Sequence, residues 1–230
     1  VLKKIIEIRI YGLLGGIVLS ASNICFILSM TSTTVANTVF TISLIPFLTA
    51  FFSFLILKEK LTKITIFTMF LAFGGVLIMF YGVLLIGALW GNILALFAAI
   101  CFSIFTIILR MNKSIDMLPC LLMSGVISMA FSLFQKMGSL QISSNDFLLC
   151  FILGAVLSGF VNCCFVFATR HLIAAEVTLF FFIEIALSPF WVWLFLNEYT
   201  TFNTLIGGII ILISILLRSI YLLLTKSKIN

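Results

Sequence analysis

Residues 64–109 read ITIFTMFLAFGGVLIMFYGVLLIGALWGNILALFAAICFSIFTIIL, without one charged side chain. A bilayer core takes about 20 apolar residues per helix, so this stretch is too long for one crossing and fits two joined by a turn. A soluble domain could not cover such a surface. The whole chain is 63% hydrophobic and only 9% charged, against about 45–50% and about 25% in soluble domains. Its 26 Phe are not arranged in the alternating polar and apolar pattern of a membrane barrel. The class is therefore all-α and membrane-embedded.

Outward from that stretch, the apolar runs give eight spans: 10–30, 35–57, 64–81, 93–109, 117–134, 147–169, 174–196 and 204–224. Alternating them across a bilayer sorts the cations. Of 13 Lys and Arg, every one but Lys136 falls on the side of the N-terminus. Lys3, Lys4, Lys58, Lys60, Arg110, Arg170, Arg218 and Lys228 are among them. By the positive-inside rule that side is the cytoplasm, and both ends of the chain lie there. The net charge of +6 is thus spent on orientation, and no nucleic-acid partner is expected.

The chain also matches itself at a shift of 139 residues, without a gap. Asn23 falls on Asn162, Cys25 on Cys164, Glu59 on Glu198 and Thr62 on Thr201. Polar matches are informative because polar residues are scarce here. Spans one to three repeat as spans six to eight, and an odd shift in span number inverts the second copy in the membrane. Inverted repeats are the framework of many secondary transporters, with the solute site between them at the bilayer midplane. Spans four and five have no partner in the first copy. The expectation is a ten-helix, five-plus-five ancestor with about two helices preceding residue 1, so that 1–86 is a partial first repeat and 87–230 a complete second one.

Intramembrane acids are costly and by default mark pathway or coupling groups. Glu184 lies inside span seven with apolar neighbours in sequence. On a continuous helix Glu176, Phe180, Glu184, Ser188 and Trp191 share a face, and the equivalent face of span two carries Asn37, Thr41, Ile45, Thr49 and Phe52. Both stripes are expected to face one central cavity, with Glu184, Glu176, Asn37, Thr41, Ser188 and Trp191 contacting solute or a coupling ion. The alternative for Glu184 is a neutral packing residue that fixes helix register. Asn23 and Asn162 are expected to bond across to neighbouring helices, and Glu59 and Glu198 to cap helices or pair in loops. Arg110 and Arg218 read as orientation charges. Gly15-Gly16, Gly74-Gly75 and Gly207-Gly208 allow close helix contact or act as hinges.

Several functions are excluded by what is missing. There is no phosphate-cradling glycine loop, no catalytic dyad and no cofactor motif. His171 is the only histidine, and the six cysteines lie in or beside apolar runs without zinc spacing. No enzyme activity, metal or cofactor is expected.

Thr31-Ser-Thr-Thr-Val-Ala, Pro46, Leu57-Lys-Glu59 and Gly74-Gly75 resemble the EamA-type repeat of the drug/metabolite transporter superfamily. The second copy resembles it again in Glu184, in Pro189-Phe-Trp191-Val-Trp193-Leu-Phe-Leu-Asn-Glu198 and in Gly207. Two positions depart from the pattern: Ile185 replaces the proline that usually follows the intramembrane Glu, and Ile213-Ser214 stand opposite Gly74-Gly75. The resemblance implies a ten-helix exporter or exchanger of amino acids, metabolites or drugs in a bacterial inner membrane, partnered by a small solute and lipid. It leaves the solute, the coupling ion and the oligomeric state open. A shortened, non-transporting membrane protein or scaffold is the competing expectation.

Overall fold

The computed structural model describes residues 9–81, 89–135, 143–196 and 201–226. Lys3, Lys4, Lys136, Glu198 and Lys228 lie outside them. The described residues are helical almost throughout and include no strand. Helix α1 (Arg9–Ser32) is the first span. The second is α2 (Val35–Ile42) followed by α3 (Ile45–Phe52), which runs into a π-helical turn at Ser53–Leu57. Helices α4 (Lys63–Met79), α5 (Leu89–Met111) and α6 (Leu118–Gln135) follow. The sixth span is α7 (Ser144–Phe151), a π-helical stretch at Ile152–Ser158, and α8 (Gly159–His171). The seventh is α9 (Ala174–Thr178) and α10 (Phe181–Leu196), and the last is α11 (Phe202–Lys226). Six of these segments form helices long and apolar enough to cross a membrane, and α4 is a shorter apolar helix.

The seventh span is not among those six, and its helix is not continuous. Its ladder is interrupted at Leu179–Phe180, where Phe182 N–H bonds to Leu179 O in a tight turn. The second span also breaks, at Ser43–Leu44, three residues beyond the position equivalent by the 139-residue shift. Pro46 there occupies the first turn of α3, where its missing N–H costs nothing and its fixed φ favours a new start. No proline accompanies the break between α9 and α10. Instead, the Thr178 hydroxyl donates back to Ala174 O and Ala175 O, which draws the end of α9 shut.

Two threonines related by the 139-residue shift cap their helices alike. Thr62 caps α4: its Oγ1 accepts from Thr65 N–H at 3.3 Å and shares a hydrogen bond with Thr65 Oγ1 at 2.9 Å. Thr201, its counterpart, caps α11 through Thr204 in the same way, at 3.4 and 2.8 Å. These side-chain oxygens satisfy amide groups that the helix itself leaves open. The equivalent spans α4 and α11 are antiparallel, since Thr65 at the start of α4 accepts from Arg218 near the end of α11. They cross at Gly75 and Gly207. A Cβ on Gly75 would stand 2.8 Å from Gly207 O, so only the bare backbone fits.

Two apolar clusters hold the bundle. One joins α2, α3, α4, α9, α10 and α11 around Ala72, Val76, Leu179, Phe182 and Ile211. The other joins α1, α5, α6 and α8 around Leu19, Phe105, Met117 and Val166. The exposed large hydrophobic side chains are mostly Leu, Ile and Phe, as a lipid-facing surface requires. The sixth span, α7 to α8, is the least covered of the spans; Val166 and Thr169 are its only buried side chains among the described residues.

Candidate functional site: a mid-bundle cavity above an ion-paired seal

The breaks in spans two and seven decide what reaches the centre. On one straight helix, Glu184 would be a mid-helix residue. Here it occupies the first turn of α10, where the positive end of the helix dipole favours a carboxylate. It opens onto a cavity of about 240 Å³. Ser22, Asn23 and Phe26 of α1, Val39 and Ile42 of α2, Ile45 of α3, Ala98 and Phe102 of α5, and Phe181, Ile185 and Ser188 of α10 complete the wall. Glu184 is exposed to this space and has neither an ion-pair nor a hydrogen-bond partner among the described residues. The Ser22 hydroxyl donates to Ala98 O at 2.9 Å and the Ser188 hydroxyl to Ile185 O at 2.8 Å, which leaves both oxygens as acceptors.

The breaks also separate residues that the continuous-helix pattern places together. Glu176, on α9, does not reach the cavity. It forms a buried ion pair with Arg218 of α11, which also donates to Thr65. Phe180 lies in the turn and lines a recess against α11. Asn37 and Thr41 line a different recess with Asn92 of α5; Asn37 Nδ2 donates to Thr33 Oγ1 and the Thr41 hydroxyl to Asn37 O. Trp191 is half exposed and its ring packs on Phe190 at 5.3 Å. Ser188 does line the cavity with Glu184. The expected face thus divides because each break resets the helical phase.

The asparagines differ as well. Asn23 lines the cavity, whereas Asn162 donates to Ser158 O of its own helix at 2.8 Å. Span six has few packed neighbours, so this amide is satisfied locally. Pro46 is buried at the start of α3, and Pro189 lies within α10.

From the cavity toward the ion-paired end, two layers of side chains follow. Phe102, Phe165 and Phe181 from α5, α8 and α10 stack their rings with centroids 5.1 to 6.0 Å apart. Beneath them Arg110, in the last turn of α5, donates to Glu59 Oε1 at 2.8 Å and to Thr169 O and Arg170 O at 3.2 and 3.3 Å. Glu59 Oε2 accepts from the Ser53 hydroxyl at 2.7 Å and from Ala174 N–H at 3.4 Å. Lys58 has a left-handed φ of 55°, and this turn folds Glu59 back under the helix it follows. One carboxylate thereby joins spans two, four, six and seven. Arg170 adds a pair with Asp116 at 3.0 Å. Burial alone would raise the Glu59 pKa. The hydrogen bonds from Arg110 and Ser53, the Arg110 charge and the Ala174 amide outweigh it and hold the carboxyl below its ordinary value.

Sequence reasoning missed the pairings of Arg110 and Arg218. Nothing local marks them: Glu59 and Arg110 are 51 positions apart, and both arginines sit where orientation charges belong. Ser22, Phe26, Phe102 and Phe181 were equally hidden among many similar residues.

No curated protein matches the chain. The crystal structure of another protein superposes with a TM-score of 0.77 and 14% identity, over 91% of this chain and 76% of its own. At that identity the likeness concerns the fold alone. Residues 2–81 and 89–220 match the EamA-like transporter family, and with nearly all of its spans inside that match, the chain belongs to this family of multi-pass membrane transporters of the drug/metabolite transporter superfamily.

Proposed function

We propose that the chain is a secondary transporter that exports or exchanges a small organic solute, such as an amino acid or drug-like metabolite, across a bacterial inner membrane. It works by alternating access between inverted repeats, with both ends of the chain in the cytoplasm. One observation supports this: a carboxylate without a partner among the described residues faces a mid-bundle cavity, and aromatic rings and ion pairs lie toward the cation-bearing end. Glu184, Ser188, Asn23 and Ser22 are the solute or coupling contacts. The Glu59–Arg110 network is the inner gate, because it ties together ends of four spans that must part to open that side.

The ten-helix architecture has its own support. Span six is the repeat equivalent of α1, which packs along α5 and against α6. Beside span six there is instead a groove of about 890 Å³, lined by α1, α6, the π-helical stretch and the start of α8. Two further helices, equivalent to α5 and α6, would fill that side.

The test is solute counterflow in proteoliposomes across a panel of labelled amino acids, amines and organic acids. Exchange above that of empty liposomes, abolished or stripped of its pH dependence by Glu184→Gln with folding intact, is the expected result. No exchange by the full-length protein for any solute would leave a non-transporting membrane protein.

A further inference from the structure

We infer that the Glu184 cavity takes an organic cation, specifically a protonated amine carried on a small aromatic or aliphatic body. This rests on the cavity being the solute site, and it narrows the solute to one charge class.

Charge bookkeeping comes first. Five acidic residues are described. Glu59, Asp116 and Glu176 each pair with an arginine. Asp146 is exposed in the first turn of α7, at a helix end. Glu184 alone is unpaired within an apolar span. Among the described residues no cationic side chain lines the cavity with it, and Arg110, Arg170 and Arg218 are already held by the other carboxylates. An anionic solute would meet this carboxylate with nothing to offset the repulsion. A protonated amine would supply the missing partner, in a setting where a charge-assisted hydrogen bond is stronger than in water.

The rest of the wall describes the body of the solute. Phe26, Phe102 and Phe181 present rings, and Val39, Ile42, Ile45 and Ile185 present aliphatic surface. Ring faces attract cations as well as apolar groups. Ser22 and Ser188 keep oxygen lone pairs that accept from the remaining ammonium N–H groups. A bare metal ion is a poor fit to this wall, and no group of three His, Cys, Asp or Glu gathers among the described residues. The volume of about 240 Å³ equals roughly eight waters at about 30 Å³ each, which suits a solute with on the order of ten non-hydrogen atoms.

The experiment titrates the full chain in lipid nanodiscs with phenethylamine, phenethyl alcohol and phenylpropionate, which share a body and differ in charge. Calorimetry should rank the amine about tenfold or more above the alcohol, with the carboxylate weakest, as expected for one charge-assisted hydrogen bond. Glu184→Gln should bring the amine down to the alcohol, and Glu184→Asp should restore part of the preference. Circular dichroism and melting temperature establish that each variant is folded. Equal or tighter binding of the alcohol or carboxylate, no binding of any probe, or an amine preference that survives Glu184→Gln would overturn the assignment. Counterflow of labelled phenethylamine is read separately. Amine-selective binding without counterflow keeps the cation site and removes the transport function. Counterflow confined to acids keeps transport and removes the cation site.

Discussion

At the residue scale, the acids of this chain are told apart by what stands opposite them. Glu184 faces open space, Glu176 faces Arg218, and Glu59 is surrounded by donors. Glu59 has a lowered pKa, so the unfolded chain takes up its proton more readily than the folded chain. Its stabilisation is complete above the ordinary carboxylate range and is lost as pH falls through the lowered folded value. Melting temperature against pH should therefore fall on acidification through that window, and Glu59→Gln should flatten this part of the curve. At neutral pH the same substitution should cost about 2 kcal/mol, the worth of hydrogen bonds to a charged group. Glu176→Gln should cost more, about 3–5 kcal/mol, because it leaves the buried Arg218 charge without its partner. Denaturant unfolding in detergent measures both, and equal small losses would contradict the difference.

At the element scale, two features organise the helices: paired breaks and one close crossing. The breaks at Ser43–Leu44 and Leu179–Phe180 put helix ends inside the membrane, where polar backbone can face a cavity. The crossing of α4 and α11 depends on the absence of side chains at Gly75 and Gly207. Gly74, by contrast, has open space around its missing Cβ. Gly75→Leu should push the helices apart and lower stability by about 1–3 kcal/mol, the usual cost of overpacking. Gly74→Leu should be close to neutral. A melting comparison of the two variants checks this, and equal effects would remove the crossing as the cause.

At the scale of the whole molecule, the ion pairs that involve Arg110, Arg170 and Arg218 all lie at one end of the bundle, and the cavity lies beyond them at its middle. If this asymmetry is one state of an alternating-access cycle, weakening the seal should shift the population toward the opposite state. Ile45→Cys, a cavity-lining position, should react with a membrane-impermeant thiol reagent from the outer side in a background lacking the native cysteines. Adding Glu59→Gln should raise its labelling from the cytoplasmic side. Unchanged sidedness would mean that the Glu59–Arg110 pair is not a gate. A tag at the C-terminus should be accessible only from the cytoplasm.

The sequence alone determined the all-helical membrane class and the approximate place of most spans, and it suggested the repeat. These follow from properties that add along a chain: the length of charge-free runs such as 64–109, the recurrence of scarce polar residues such as Glu59 and Glu198, and the sorting of cations to span ends. It also singled out Glu184, since a carboxylate in an apolar span is visible without coordinates. Only the tertiary structure decided which polar residues share a space. Glu176 and Glu184 are eight positions apart, and a continuous helix would place both on one face. The turn at Leu179–Phe180 sends one to Arg218 and the other to the cavity. The partners of Arg110 and Arg218 have no local signature, because they lie on helices that meet only after the bundle has assembled.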